Sequence, residues 1–307
     1  MELRKDYLLN RWVIISEKRG TRPKQFEKVM QKKDGFCFFC PGNEKTTPPE
    51  IGRISEDGKW IIRWFPNKFP AVSAEGKFSV HNGFLTHANA FGYHEVITET
   101  PDHTKQLSDL SPSHIAKVFK VYAQRINELS KKKNVSYVVI FKNHGGSAGT
   151  SLVHSHTQLA TLPFVPAAVA EEVKASSPGC KYCKIIAMEK RSKRLVLENS
   201  TMLAIAPYAS RFNYEAWIFP KKHAKSITEF SEKEYSDCAD ILKKLLVKLA
   251  SLNADYNFIM HYAPKGKNLH FHIELLPRLS NWAGFEYCSG IIINSVSPES
   301  AAEFYRQ

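Results

Sequence analysis

The sequence predicts an α+β fold made of two tandem copies of one unit, each combining antiparallel strands with a long helix. Three observations predict it: a repeated histidine motif, a matching order of elements around each copy, and a repeated pair of closely spaced cysteines. The motif is H-x-K-x-φ-x-[D/E]-φ-S, with φ apolar. It reads His103-Thr104-Lys105-Gln106-Leu107-Ser108-Asp109-Leu110-Ser111 in the first half. In the second it reads His223-Ala224-Lys225-Ser226-Ile227-Thr228-Glu229-Phe230-Ser231. Self-similarity is weighed first, because a missed repeat misassigns the whole fold.

The elements follow in the same order in each copy. Cys37 and Cys40 precede the first motif, and Cys180 and Cys183 the second. Ser111 then offers a helix N-cap with Pro112 at the first helical position. Ile115, Val118, Phe119, Tyr122, Ile126 and Leu129 recur at threes and fours, the period of a helix with one buried face. Ser231 caps the second helix, which carries Tyr235, Cys238, Ile241, Leu242, Leu245 and Leu249. Each helix feeds a β-rich run, residues 135–142 and 256–262. A polar loop and a second strand follow: 151–160 with His154 and His156, then 268–276 with His270 and His272. The turn-rich stretch Ser176-Ser177-Pro178-Gly179 separates the copies, giving a first unit at 1–175 and a second at 176–307.

Composition excludes several classes. The chain has 307 residues and 43% hydrophobic content, enough for two cored units and too apolar for a disordered chain. No run of 18 apolar residues spans a membrane, and the first residues lack the apolar stretch of a signal peptide. A cytoplasmic location is the expectation. The net charge of +13 favours phosphate-bearing partners. Basicity and paired cysteines also fit a zinc-stabilised nucleic-acid-binding protein, but no dense basic stripe with interleaved aromatics supports that reading.

Four Cys or His ligands are what a structural zinc requires. The repeat supplies two sets: Cys37, Cys40, His103 and His154, then Cys180, Cys183, His223 and His270. A lone C-x-x-C is equally a pair of buried thiols. Recurrence of the order C-x-x-C…H…H-x-H argues for two zinc ions per chain, each structural, since four protein ligands leave no position for water. His261 and His272 are further candidates.

The segment from Asn143 to Gln158 carries the chemistry. Gly145, Gly146 and Gly149 allow tight turns that present backbone N–H groups to an anion. The following strand is expected to place His154, His156 and Gln158 on one face. A neutral imidazole at His156 is an available nucleophile, and Gln158 can donate to a phosphoryl oxygen. Taken alone, H-x-H-x-Q is also compatible with a metal site or a polar strand face.

The pattern N-x-G-x-x-x-G-x-S-x-x-H-x-H-x-Q over residues 143–158 resembles the signature of the galactose-1-phosphate uridylyltransferase family, a branch of the histidine-triad superfamily. The resemblance runs nearly the full chain and implies histidine-triad-like half-barrel units. Residues 11–16 with Arg19, Arg22 and Pro23 resemble the family's first strand and phosphate-contacting arginines. Asn67 and Phe69 resemble its nucleoside contacts, and Gly284, Phe285, Glu286 and Asn294 its sugar-contacting segment. By motif position the resemblance implies His156 as nucleophile, with Gln158, Asn143, Gly149 and Ser151 around the substrate. It implies ping-pong transfer of UMP from UDP-glucose to a hexose 1-phosphate, galactose 1-phosphate first, in a homodimer. Two departures bear on substrate. The family's H-P-H is here His154-Ser155-His156, which resembles a branch that phosphorolyses ADP-glucose. The C-terminal lysine that contacts the sugar phosphate in some members has no clear match, Ser280 or Asn281 standing near that place.

Overall fold

The computed structural model describes residues 1–5, 12–15 and 36–307. Arg19 and Arg22, with Arg11, Ser16 and Pro23, lie outside the described residues. The chain forms two compact units. The first comprises Met1–Thr104, Gln124–Ile140 and Ser151–Glu172; the second comprises Lys105–Ala123, Phe141–Thr150 and Val173–Gln307.

The first unit opens with strands β1 (Glu2–Lys5), β2 (Trp12–Ile15), β3 (Gly52–Glu56), β4 (Lys59–Pro66), β5 (Val80–His81), β6 (His87–Asn89) and β7 (His94–Thr98). Helix α1 (Pro112–Leu129) and strand β8 (Tyr137–His144) are each divided between the units; β9 (His156–Leu162) belongs to the first. A small antiparallel sheet runs β2-β1-β6-β5, and a larger one contains the antiparallel order β9-β7-β4-β3. Every residue of β7 is buried, as expected of a strand with neighbours on both edges and cover on both faces. Its one charged residue, Glu95, therefore needs a partner. Arg125 of α1 supplies it: Nε and Nη2 donate to the two carboxylate oxygens, both at 2.8 Å.

After α2 (Ala167–Ala175), the second unit contains α3 (Lys181–Glu189), β10 (Leu195–Glu198), β11 (Met202–Ile205), β12 (Ala216–Pro220), α4 (Glu232–Ser251), β13 (Tyr256–His261), β14 (His272–Pro277), α5 (Gly284–Ser289) and α6 (Pro298–Arg306). Its strands run antiparallel in the order β10-β11-β12-β14-β13. No described helix is long and apolar enough to cross a membrane.

The two long helices begin where the capping residues place them. The Ser111 hydroxyl accepts the His114 N–H at 3.2 Å, and Ser231 forms a capping box with Glu234. All six stripe residues of α1, and all six of α4, are buried. Each such side chain contributes about 2 kcal/mol of apolar burial.

Asp237 ties α4 to the turn between β10 and β11. Its carboxylate accepts from the Ser200 hydroxyl at 2.5 Å, from the Thr201 hydroxyl at 2.9 Å and from the Thr201 N–H at 3.0 Å. Burial alone would raise its pKa, but Lys233 and these donors outweigh it and hold the carboxyl below its ordinary value. The stabilisation is therefore present above the unfolded-state pKa near 4 and is lost as pH falls through the lower folded value. Asp237→Ala should destabilise the second unit by about 2 kcal/mol, because it strands three donors. Thermal melts at pH 7 check this, and the gap between variant and wild type should narrow below about pH 3.

One expectation needs correction. Neither His154 nor His270 lies on a strand: β9 begins at His156 and β14 at His272. The backbone leaves the ladder after the pair Thr98↔His156, and the His154 carbonyl then accepts the ring N–H of His156. That turn, rather than strand periodicity, carries His154 to the cysteines. His156 and Gln158 do share a face of β9.

Candidate active site and metal centres

In the first unit, Cys37, Cys40, His103 and His154 bring four ligand atoms within 4.8 Å of one another. His154 Nδ1 stands 3.5 Å from Cys37 Sγ and 3.6 Å from Cys40 Sγ; His103 Nδ1 stands 3.5 Å from Cys40 Sγ. Bonds of about 2.3 Å to sulfur and about 2.0 Å to nitrogen at tetrahedral angles would separate S and N by about 3.5 Å. His154 Nε2 lies 2.7 Å from the Thr100 carbonyl, which can only accept. The ring proton is thus on Nε2 and the lone pair on Nδ1, the atom that faces the thiols.

The second unit repeats this with Cys180, Cys183, His223 and His270. Cys183 Sγ is 3.4 Å from Nδ1 of both His223 and His270, and His270 Nε2 donates to the Pro220 carbonyl at 2.8 Å. Cys180 caps α3, its sulfur accepting the Cys183 N–H. Burial, with Cys37 beside it, pushes the Cys40 thiol up to about 12; burial, with Cys180 beside it, pushes Cys183 up to about 11. Burial also pulls His270 down to about 4. These directions disfavour charge on Cys40, Cys183 and His270 when no cation is bound. A bound metal would displace the thiol protons, which is the behaviour of a Cys/His metal site. His261, His272 and Glu274 form a further group in the second unit, with ligand atoms within 4.8 Å.

His156 is buried and packs edge-on against Phe39, ring centroids 5.4 Å apart. Phe39 belongs to a small apolar cluster with Cys37, Phe65 and Val96. The first Cys/His set and the apolar wall against which His156 packs are therefore one piece of structure. His156 Nδ1 donates to the His154 carbonyl at 2.8 Å, so the lone pair sits on Nε2. The residues flanking His156 are clamped by the fully buried Glu99. The Ser155 hydroxyl donates to Oε2 and the Thr157 hydroxyl to Oε1, both at 2.6 Å. Ser155, between the two histidines, is thus tied to a buried carboxylate.

Gln158 is held from the other side. Its Oε1 accepts from Asn67 Nδ2 at 3.3 Å and from His94 Nε2 at 3.1 Å. Asn67 in turn accepts the Phe69 N–H at 2.8 Å. The structure thus gathers Asn67, Phe69, His156 and Gln158, expected from the sequence, with Phe39, His94 and Glu99, which no motif marked.

The glycine-rich loop belongs to the second unit and is more closed than expected. Gly145 has φ +83°, and a Cβ there would lie 1.7 Å from Asp255 Oδ1, so only glycine fits. The amides of Ser147, Gly149 and Thr150 are already donated, to Asp255 Oδ2, the Gly146 carbonyl and the Gly145 carbonyl. These three amides do not form an open anion nest. Asn257 Nδ2 donates to Asn143 Oδ1 and to the Ala148 carbonyl, both at 2.9 Å. Asp255 and Asn257, at the start of β13, therefore buttress the loop. Neither was legible as a functional residue.

Glu286 caps its own helix, accepting the Ala283 N–H at 2.9 Å. Asn294 donates to the carbonyls of Ser210 and Phe212. Both belong to the second unit, and these contacts lie within it. His272 copies the bond of His156, donating to the His270 carbonyl at 3.0 Å. The residue matching Gln158, however, is Glu274, whose carboxylate takes a charged hydrogen bond from Arg211 at 2.6 Å.

Comparison with known proteins gives a consistent picture. The model of a family described as galactose-1-phosphate uridyl transferase, N-terminal domain, matches residues 1–166. A second model, described as a domain of unknown function (DUF4921), matches residues 85–304. The chain is 34% identical to an ADP-glucose phosphorylase of Arabidopsis thaliana, over all of this chain and 92% of that protein. It is 29% identical to a galactose-1-phosphate uridylyltransferase of Thermotoga maritima, over all of this chain and 98% of that one. A crystal structure of an Arabidopsis thaliana ADP-glucose phosphorylase with bound ADP-glucose superposes with a TM-score of 0.78 at 31% identity, covering 100% of this chain and 99% of that one.

Proposed function

From the premise that the chain belongs to the galactose-1-phosphate uridylyltransferase family, we propose that it transfers a nucleotidyl group from a nucleotide sugar to a phosphate-bearing acceptor through a covalent intermediate on His156. The observation that carries this reading is the bond from His156 Nδ1–H to the His154 carbonyl, which leaves the nucleophilic lone pair on Nε2. Nε2 attacks the α-phosphorus, the Nε2–P bond forms, and the bond to the sugar 1-phosphate breaks. The ring becomes cationic, and the His154 carbonyl accepts the more acidic Nδ1–H. The leaving group is a stable anion and needs no strong general acid. The acceptor's phosphate oxygen then attacks the same phosphorus and restores the imidazole.

The Gln158 carboxamide donates to a phosphoryl oxygen as charge develops there. Arg19, Arg22, Asn143, Gly149 and Ser151 are proposed phosphate-side contacts, Asn67 and Phe69 nucleoside contacts, and Glu286 and Asn294 sugar contacts. Two zinc ions would be held by Cys37, Cys40, His103 and His154, and by Cys180, Cys183, His223 and His270. Their contribution when bound is structural. The active assembly is proposed to be a homodimer, which light scattering would test.

Two versions of the reaction fit. Transfer of UMP from UDP-glucose to galactose 1-phosphate follows the family's activity. Transfer of AMP from ADP-glucose to inorganic phosphate is favoured by Ser155 between the histidines and by the full-length 34% likeness to an ADP-glucose phosphorylase. Incubation with each donor, with and without each acceptor, separates them: release of glucose 1-phosphate should follow one nucleotide by at least tenfold. Release from neither donor would contradict the proposal.

The second metal set should matter more to stability than to chemistry, since its copy carries Glu274 where Gln158 stands in the first. Cys183→Ser should remove about one zinc per chain and lower the melting temperature. Activity per folded molecule should stay within roughly tenfold, at most about 1.4 kcal/mol of transition-state stabilisation. A folded, zinc-depleted variant as inactive as one lacking His156 would contradict this division of labour.

A further inference from the structure

No motif marks His94, which opens β7 and is 5% exposed. The Ala71 N–H lies 2.9 Å from its Nδ1. A backbone N–H can only donate, so Nδ1 is the acceptor and the ring proton sits on Nε2. That Nε2–H stands 3.1 Å from Gln158 Oε1. Asn67 is polarised in the same way. Its Oδ1 accepts the Phe69 N–H at 2.8 Å, so its NH2 is the end that meets Gln158 Oε1 at 3.3 Å. The donor nitrogens of Asn67 and His94 lie 3.3 Å apart, side by side on one oxygen.

A carboxamide is nearly symmetrical in shape but opposite in polarity at its two ends. Free to rotate, Gln158 would offer a phosphoryl group either an NH2, which attracts it, or an oxygen, which repels it. Turned the wrong way here, its NH2 would face two donors, leaving both without an acceptor in a part-buried setting. We infer that His94 is a positioning residue for nucleotidyl transfer: with Asn67, it locks the Gln158 carboxamide so that the end left to meet the reacting phosphate is always the NH2. The polarity is set by the backbone amides of Phe69 and Ala71, so the stretch Asn67-Lys68-Phe69-Pro70-Ala71 orients the catalytic amide as well as contributing Asn67 and Phe69. This inference rests on the reading that Gln158 contacts the phosphoryl group transferred at His156.

The test is a double-mutant cycle between His94 and Gln158, read as the rate constant for labelling the protein with α-phosphate-labelled UDP-glucose or ADP-glucose, whichever proves to be the donor. His94→Phe should lower that rate constant about 10- to 100-fold, below the effect of deleting an oxyanion donor outright, while KM moves less than about threefold. In a Gln158→Ala background the same substitution should change the rate less than about threefold, because there is no carboxamide left to orient. His94→Gln, whose amide nitrogen can reach the place of Nε2, should recover part of the rate; His94→Asn, which is too short, should not. The Gln and Asn variants also run the cycle should the Phe variant fail to fold. An equal loss in both backgrounds, a loss confined to KM, or equal rates for the Gln and Asn variants would overturn the inference. A Gln158→Ala protein labelled at the wild-type rate would overturn it too, while leaving the covalent role of His156 to stand or fall on its own labelling.

Discussion

His156→Gly should abolish nucleotidyl transfer, with a loss on the order of 10⁴-fold or more, because the variant lacks the atom to which phosphorus bonds. The fold should survive. His156 is buried; its ring donates to the His154 carbonyl and packs edge-on against Phe39. Removing them leaves a cavity and should destabilise the first unit by about 2–4 kcal/mol. Metal content should not change, since His154 reaches the cysteines through its own Nδ1. The measurements are turnover, melting temperature and zinc per chain on one preparation. Turnover comparable to wild type would remove the covalent mechanism, whereas loss of zinc along with activity would reassign His156 to the metal site.

The second large effect is expected at the first metal set. Cys37→Ser or His103→Ala should lower zinc by about one ion per chain and destabilise the first unit by several kcal/mol, because binding free energy at a structural site is folding free energy. Activity should fall with it, unlike the outcome at Cys183. The reason is packing. Cys37 lies in the same apolar cluster as Phe39, and Phe39 is the wall against which His156 rests. His154, a proposed ligand of the same ion, also supplies the carbonyl that fixes the His156 tautomer. Loss of a bound ion would therefore loosen His156 from both sides. Elemental analysis showing unchanged metal in both variants would take the first site out of the account.

What the sequence revealed, and what it concealed, follows from how each feature is encoded. The two Cys/His sets were legible because the same residue types recur in the same order, and the structure brings each set together. The long helices were legible because cap and apolar stripe agree, from Ser111 to Leu129 and from Ser231 to Leu249. His154 was misplaced on a strand because alternation of two histidines reads as period two, whereas the backbone turns out of the ladder one residue before His156. Glu99 and His94 were hidden for a different reason. Their partners are set by register between β7 and β9 and by the turn at Asn67–Ala71, and single-sequence patterns do not specify cross-strand register. An acid just after Val96-Ile97-Thr98 was the signal that could have exposed Glu99, since a buried acid must have partners. Asp255 and Asn257 were hidden likewise. They act on a loop more than a hundred residues earlier, and the close approach of Asp255 to Gly145, together with a φ of +83°, explains why that glycine is required.

The central claim is the covalent intermediate, and trapping it is the most direct test. The protein is incubated without acceptor with α-phosphate-labelled UDP-glucose and, separately, ADP-glucose, then digested and mapped by mass spectrometry under alkaline conditions that preserve phosphoramidate bonds. The account predicts near-stoichiometric attachment of one nucleotidyl group from one of the two donors, on the peptide containing His156. It predicts discharge on adding galactose 1-phosphate or inorganic phosphate, and no attachment to His156→Gly. Turnover without any attached nucleotide, or a nucleotide carried by another residue, would contradict it.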